Sequence, residues 1–229
     1  VIVMLVTAKT IDIEINKKQV YKYLGYDLGS EPSSRIESLL DQHIELSDQF
    51  ISPYTTYTIL DVDFVLGTRT FLEGSVCFDS GVVGRLLRKC QKVALFVVTI
   101  EDELESIAGD LAEDGLLVQS TVMDSIGSNA VEQVANFLQE RIRDTAEAQG
   151  LVISKRRFSP GYCDWDISQQ AELFEVFDGN TAGVELSETC LMHPRKSISG
   201  IIGIGLPGQG IENYNPCPVC DTSECQSRR

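Results

Sequence analysis

Seven consecutive residues, Val93-Ala94-Leu95-Phe96-Val97-Val98-Thr99, carry no charge and only one hydroxyl. A run this short, and this rich in β-branched and aromatic residues, is a buried strand. It has no polar face to turn to solvent, so the rest of the chain must cover it.

The neighbouring sequence supplies that cover. Glu101 to Glu113 reads as a helix. From Ser120 onward Ile126, Val131, Val134, Leu138 and Ile142 fall near helical spacing, with Met123 and Phe137 on the same face. This predicts the longest helix of the chain, its apolar stripe packed on the core. Upstream, Thr10 to Ile15 alternates as a half-buried strand does. Lys17 to Tyr26 suits a short helix closed by Gly25 or the Gly29 turn. Ser30 to Ser34 suits the cap of a second helix bearing Ile36, Leu39, Leu40 and Ile44. Thr55 to Val62 and Thr70 to Phe78 read as strands, and Asp79-Ser80 as the N-cap of a helix through Cys90. Downstream, Leu151 to Ser154 reads as a strand. Asp166 or Ser168 can cap a helix carrying Leu173, Phe174 and Phe177. Gly183 to Leu186 opens a strand and Ser197 to Ile204 forms another. No strand-to-helix turn carries a phosphate-binding glycine fingerprint. The expected class is α+β, with a mainly antiparallel sheet flanked by helices. A length of 229 residues fits one large domain or two small ones.

The net charge of -15 excludes a nucleic-acid binder, whose surface must be basic. No apolar run approaches the ~18 residues of a membrane span. Val1 to Val6 is too short for a secretory core, so the expectation is a soluble, cytoplasmic protein. Neither His43 nor His193 sits in a catalytic motif, and His193 reads as structural. Cys77 and Cys90 read as buried thiols.

One stretch does suggest binding: Arg157-Phe158-Ser159-Pro160-Gly161-Tyr162. The chain leaves a strand and turns at Pro160-Gly161, where proline fixes φ and glycine admits a close ligand. Arg157 is a planar fork for a carboxylate, and Tyr162 adds an aromatic face with a polar tip. The set suits a small zwitterionic or cationic ligand. Residue types alone also fit an ordinary strand-to-turn corner.

The order of motifs carries more. Arg-x-x-Pro-Gly-Tyr, a helical stretch, Leu186-Ser187-Glu188 and Pro194-Arg195-Lys196-Ser197-Ile198-Ser199-Gly200 follow the buried strand and the long helix. This arrangement, over about half the chain, resembles the activation domain of cobalamin-dependent methionine synthase. The resemblance implies a domain over residues 1–210 with a curved antiparallel sheet. It implies that Arg157 pairs with the carboxylate of S-adenosylmethionine. The backbone of Ser159, Pro160 and Gly161 would hold the adenosyl part, and Tyr162 the sulfonium end. Glu188 would either receive the ammonium or be a surface acid. Ser197 and Ser199 would shape the floor of the site.

The tail, residues 211–229, carries Cys217-Pro218-Val219-Cys220 and then Cys225. Thiolates so spaced suit zinc or an iron–sulfur cluster. Cys163 is the preferred fourth ligand, since it would tie the tail to the binding turn. Cys190 or an external ligand are the alternatives, and unliganded thiols the remaining one. Such a tail resembles free-standing relatives of the activation domain. The chain lacks the Asp-x-His-x-x-Gly motif that holds cobalamin. Any corrinoid would therefore sit on a partner: a corrinoid-binding protein, or a methionine synthase without its own activation domain. The function so implied is reductive reactivation of that corrinoid, with S-adenosylmethionine as methyl donor and a low-potential electron donor behind it. Two other readings remain: a docking module with a structural zinc tail, and a small iron–sulfur electron carrier.

Overall fold

The computed structural model describes residues 4–6, 11–26 and 30–219. The apolar run forms β5 (Lys92–Thr99), inside a seven-stranded sheet. Its companions are β1 (Met4–Val6), β2 (Tyr54–Leu66), β3 (Arg69–Leu72), β4 (Val76–Asp79), β6 (Val152–Ile153) and β9 (Ser197–Gly205). The order is β4-β3-β2-β5-β9-β6, with β1 also paired to β2, and every pairing is antiparallel. A separate hairpin joins β7 (Glu185–Leu186) to β8 (Met192–His193). The class is α+β with a curled antiparallel sheet, as the sequence implies.

Alternation along β5 divides the core in two. Ala94, Phe96 and Val98 meet Ala130, Val134, Leu138 and Ile142 of the long helix α5 (Leu117–Glu147). Val93, Leu95 and Val97 cluster with α3 (Gly81–Leu87) and α6 (Gln170–Glu175), through Val82, Val83, Leu86 and Leu173. A third cluster joins the first half of α5 to α1 (Lys17–Tyr23), α2 (Ser34–Ser47) and α4 (Glu103–Glu113). Val20, Leu40, Leu104, Met123 and Ile126 are fully buried there.

Three boundaries differ from those expected. Residues 11–16 pair with no strand. Ile11 is buried and Ile13 and Ile15 pack beside it, so the alternation marks an extended segment held by side chains. Thr70 to Phe78 is broken by left-handed backbone at Gly74 (φ 81°) and Ser75 (φ 68°), which turns one strand into the β3–β4 hairpin. The helix capped by Ser80 ends at Leu87, and the amides of Lys89 and Cys90 close on the carbonyls of Leu86 and Leu87. Gly25 (φ 87°) closes α1, its amide donating to Lys22. Ile211 is buried in the α3–α6 cluster. No helix among the described residues is long and apolar enough to cross a membrane.

Leu138→Ala is expected to cost about 2–5 kcal/mol, since it empties a buried site between α5 and the sheet. Leu117→Ala, at a position 65% exposed, should stay within about 0.5 kcal/mol. Urea unfolding of the two variants checks the contrast.

Candidate functional site

β6 lasts two residues, and the chain then rejoins β9 further along its edge. The Ser154 amide donates to Gly203 at 2.8 Å. Phe158 and Ile201 exchange amide–carbonyl bonds of 3.1 and 2.8 Å, and Ser159 Oγ donates to the Ser199 carbonyl at 2.6 Å. The Arg-x-x-Pro-Gly-Tyr segment is thus laid against the Ser-x-Ser-Gly segment as an edge extension of the sheet. Gly200 makes this possible. A Cβ there would lie 2.5 Å from the Phe158 carbonyl oxygen and 2.9 Å from Ser159 Oγ.

The next residues form a type II turn, with Pro160 buried, Gly161 at φ 89° and the Tyr162 amide returning to Ser159 at 3.3 Å. A second turn comes directly after it: Gly161 donates to Trp165 at 2.7 Å, Trp165 donates to Tyr162 at 3.1 Å, and Cys163 is left-handed at φ 56°. This tight double turn sends Trp165 into the core, edge-on to Phe78 at 5.1 Å. It also aims Asp164 at the start of α3. There Asp164 accepts from Ser80 Oγ at 2.6 Å and from the amides of Gly81 and Val82 at 2.7 and 3.2 Å. Burial alone would raise the Asp164 carboxyl, but the bonds from Ser80, Val82 and Gly81 outweigh it and hold it below the ordinary value.

At the edge, side chains alternate between the two faces of the sheet. Phe158 packs into the α3–α6 cluster, and Arg157 reaches the other way to α5. Its Nη2 pairs with Glu132 at 2.6 Å, and its Nη1 donates to Asn136 at 3.0 Å and Gln139 at 2.8 Å. The three partners occupy one stripe of α5, at i, i+4 and i+7. Gln139 also donates to the carbonyls of Ser154 and Lys155, which fixes the approach to the motif. The guanidinium keeps its Nε–H and one Nη2–H without a partner among the described residues.

Glu132 also lines a cleft of about 430 Å³, with Tyr23, Asp124, Ser128, Lys196 and Ile198 among its walls. Lys196 is nearly buried, its ammonium 2.8 Å from Asp124 and 2.9 Å from Ser128 Oγ. Ser197 bonds Thr99 and the Pro194 carbonyl, and Ser199 bonds Gln170. Both serines are occupied in holding β9.

Glu132 and Asn136 escape a reading of the sequence. Their only local signal is polar spacing on a helix whose other face is core; their contacts with Arg157 span 25 and 21 residues. Glu188 is exposed on the β7–β8 hairpin, and no hydrogen bond joins it to Arg157. Cys163 is exposed at the double turn and Cys190 half-buried, its Sγ 3.7 Å from the Ser168 carbonyl. Cys217 is half-buried, its sulfur 3.5 Å from Arg156 Nη1. Cys220 and Cys225 lie outside the described residues, within which no three ligand-type side chains gather as a metal site. Cys77 and Cys90 are half-buried, and burial pushes the Cys90 thiol up to about 12.

Residues 82–206 match the family described as vitamin B12 dependent methionine synthase, activation domain. The chain belongs to this family. It also resembles a crystal structure of the MetH reactivation domain bound to AdoHcy, with a TM-score of 0.64 over 88% of this chain and 78% of that one. At 14% identity this second likeness concerns the fold. No curated protein matches the chain. In this activation-domain member the matched segment runs from α3 to the end of β9. It contains Arg157, Glu132 and Gly200, while Tyr23 lies outside it.

Two results are expected. Gly200→Ala should destabilise the fold by about 1–3 kcal/mol in urea unfolding, because Cβ meets fixed backbone. The Asp164 contribution to stability should be complete above the unfolded-chain value of about 3.9 and fade as pH falls through the lower folded value. The urea midpoints of wild type and Asp164→Asn should therefore differ at pH 7 and converge towards pH 3.

Proposed function

We propose that this chain binds S-adenosylmethionine at the Arg157 edge and presents it to a corrinoid carried by a partner protein. The observation that carries this reading is the Arg157–Glu132 pair: Glu132 lines the cleft, and Arg157 keeps its Nε–H and one Nη2–H without a partner among the described residues. A guanidinium edge binds a carboxylate bidentately, so Arg157 takes the α-carboxylate. Glu132, beside it, takes the α-ammonium; this geometry favours Glu132 over the exposed Glu188. The type II turn at Ser159, Pro160 and Gly161 presents backbone to the adenosyl part. Tyr162, 60% exposed, stands where the sulfonium end and the incoming corrinoid meet.

The reaction balances with one electron from outside. A low-potential donor reduces cobalt(II) to cobalt(I). Cobalt(I) attacks the sulfonium methyl with an electron pair, the S–CH₃ bond breaks, and methylcobalt(III) and neutral S-adenosylhomocysteine result. The chain contributes position: it holds the methyl group facing outward, and proximity does the rest.

The tail fits a metal by the chemistry of its donors. Cys217 approaches the domain at Arg156, and Tyr214, three residues earlier, packs on Phe158 at 5.7 Å. Cys217, Cys220, Cys225 and Cys163 are the residues that would hold zinc or an iron–sulfur cluster. Zinc would staple the tail, and a cluster would relay the electron.

Calorimetric titration with S-adenosylmethionine tests the reading. Saturable binding is expected, weakened about 10- to 100-fold in Arg157→Ala, as for a lost charge-assisted bond of ~1.5–3 kcal/mol. A wild-type protein that does not bind the ligand overturns it. Metal analysis and a visible spectrum of anaerobically purified protein decide between cluster and zinc, and Cys217→Ser should lower the metal content.

A further inference from the structure

The cleft lined by Glu132, the ion-pair partner of Arg157, has a wall that the family match does not include. Helix α1 lies outside residues 82–206, yet Tyr23 from its last turn lines the cleft together with Glu132. The placement is built in. The side chain of Asn129, itself 1% exposed, accepts the backbone amide of Asn16 at 2.8 Å. Asn16 is the N-cap of α1, its own side chain accepting from Gln19 at 3.2 Å. Val20 is fully buried against the α2–α4–α5 cluster, and Tyr23 comes three residues later on the same side of the helix. A buried anchor and a buried valine thus fix the angle at which the ring faces α5.

Burial, and then the Glu132 carboxylate, push the Tyr23 phenol above its ordinary value against a hydrogen bond from Gln19. The ring is 42% exposed, so its apolar face remains available to a ligand. An aromatic face beside a carboxylate is a cation site.

Resting on the S-adenosylmethionine reading, we propose that Tyr23 closes the ammonium pocket of this chain, its ring packing on the α-ammonium that Glu132 pairs with. The amino-acid head is then held by three elements: Arg157 from the sheet edge, Glu132 from α5 and Tyr23 from α1. The first part of the chain, which carries no motif of the family, supplies a ligand contact.

The test titrates full-length wild type, Tyr23→Phe and Tyr23→Leu with S-adenosylhomocysteine, and with 5′-methylthioadenosine, which lacks the amino-acid head. Tyr23→Phe keeps the ring and should bind S-adenosylhomocysteine as the wild type does. Tyr23→Leu should bind it about 2- to 30-fold more weakly, the range of a cation–π contact, with affinity for methylthioadenosine unchanged. Equal losses in the two variants, no loss in Tyr23→Leu, or an equal loss for both ligands each overturns the Tyr23 role. A wild type that binds neither S-adenosylmethionine nor S-adenosylhomocysteine fails at the earlier step and takes this inference with it. Circular dichroism of the variants, at an exposed helix end, should show an intact fold.

Discussion

The proposed site of this chain depends on one close backbone contact: Phe158 and Ser159 lying on β9 at Gly200. There the sheet gains an edge pairing after β6 has ended, and the Ser159 hydroxyl secures it. The contact sets the pleat, and the pleat decides the rest. With Phe158 committed to the α3–α6 face, Arg157 must point to α5. A residue larger than glycine at position 200 would push the segment off the strand and swing the guanidinium away from Glu132, Asn136 and Gln139.

Beyond that contact, the turn is locked by the two residues that leave it. Trp165 buries itself against Phe78, and Asp164 caps α3 together with Ser80. A buried aromatic and a charged cap therefore brace the double turn from two sides. A turn braced in this way is set before any ligand of the proposed site arrives, and such preorganisation reduces the entropy lost on binding. The same helix that covers β5 supplies Glu132, so one element serves both core and site through its two faces.

Much of the fold is legible in the sequence, because its strongest signals are local. The apolar run of β5, the stripe of α5 and the Ser80 cap are patterns within a few residues, and each is where those patterns place it. The turn at Pro160-Gly161 is equally legible, since proline fixes φ and glycine admits the positive φ that the turn requires. The features that escape are long-range or ambiguous. Alternation at residues 11–15 reports burial, and cannot distinguish a strand from an extended segment docked by its isoleucines. The break at Gly74 and Ser75 depends on two left-handed residues of which only one is glycine. Arg157 is visible as a candidate by its motif; its anchors on α5 are not, because nothing in a helix sequence says which polar residue faces a distant arginine. Glu188, prominent in the motif order, lies on an exposed hairpin, whereas Glu132 has no motif of its own and occupies the cleft.

The central claim is that the sheet edge and α5 form a single ligand site. Amide NMR of the labelled protein, titrated with S-adenosylhomocysteine, tests it most directly. The account predicts shifts that saturate together at residues 131–132, 157–159, 161–162 and 198–199, which lie on α5, the edge segment and β9. Shifts confined to the β7–β8 hairpin around Glu188, or shifts at the turn with α5 undisturbed, would contradict it.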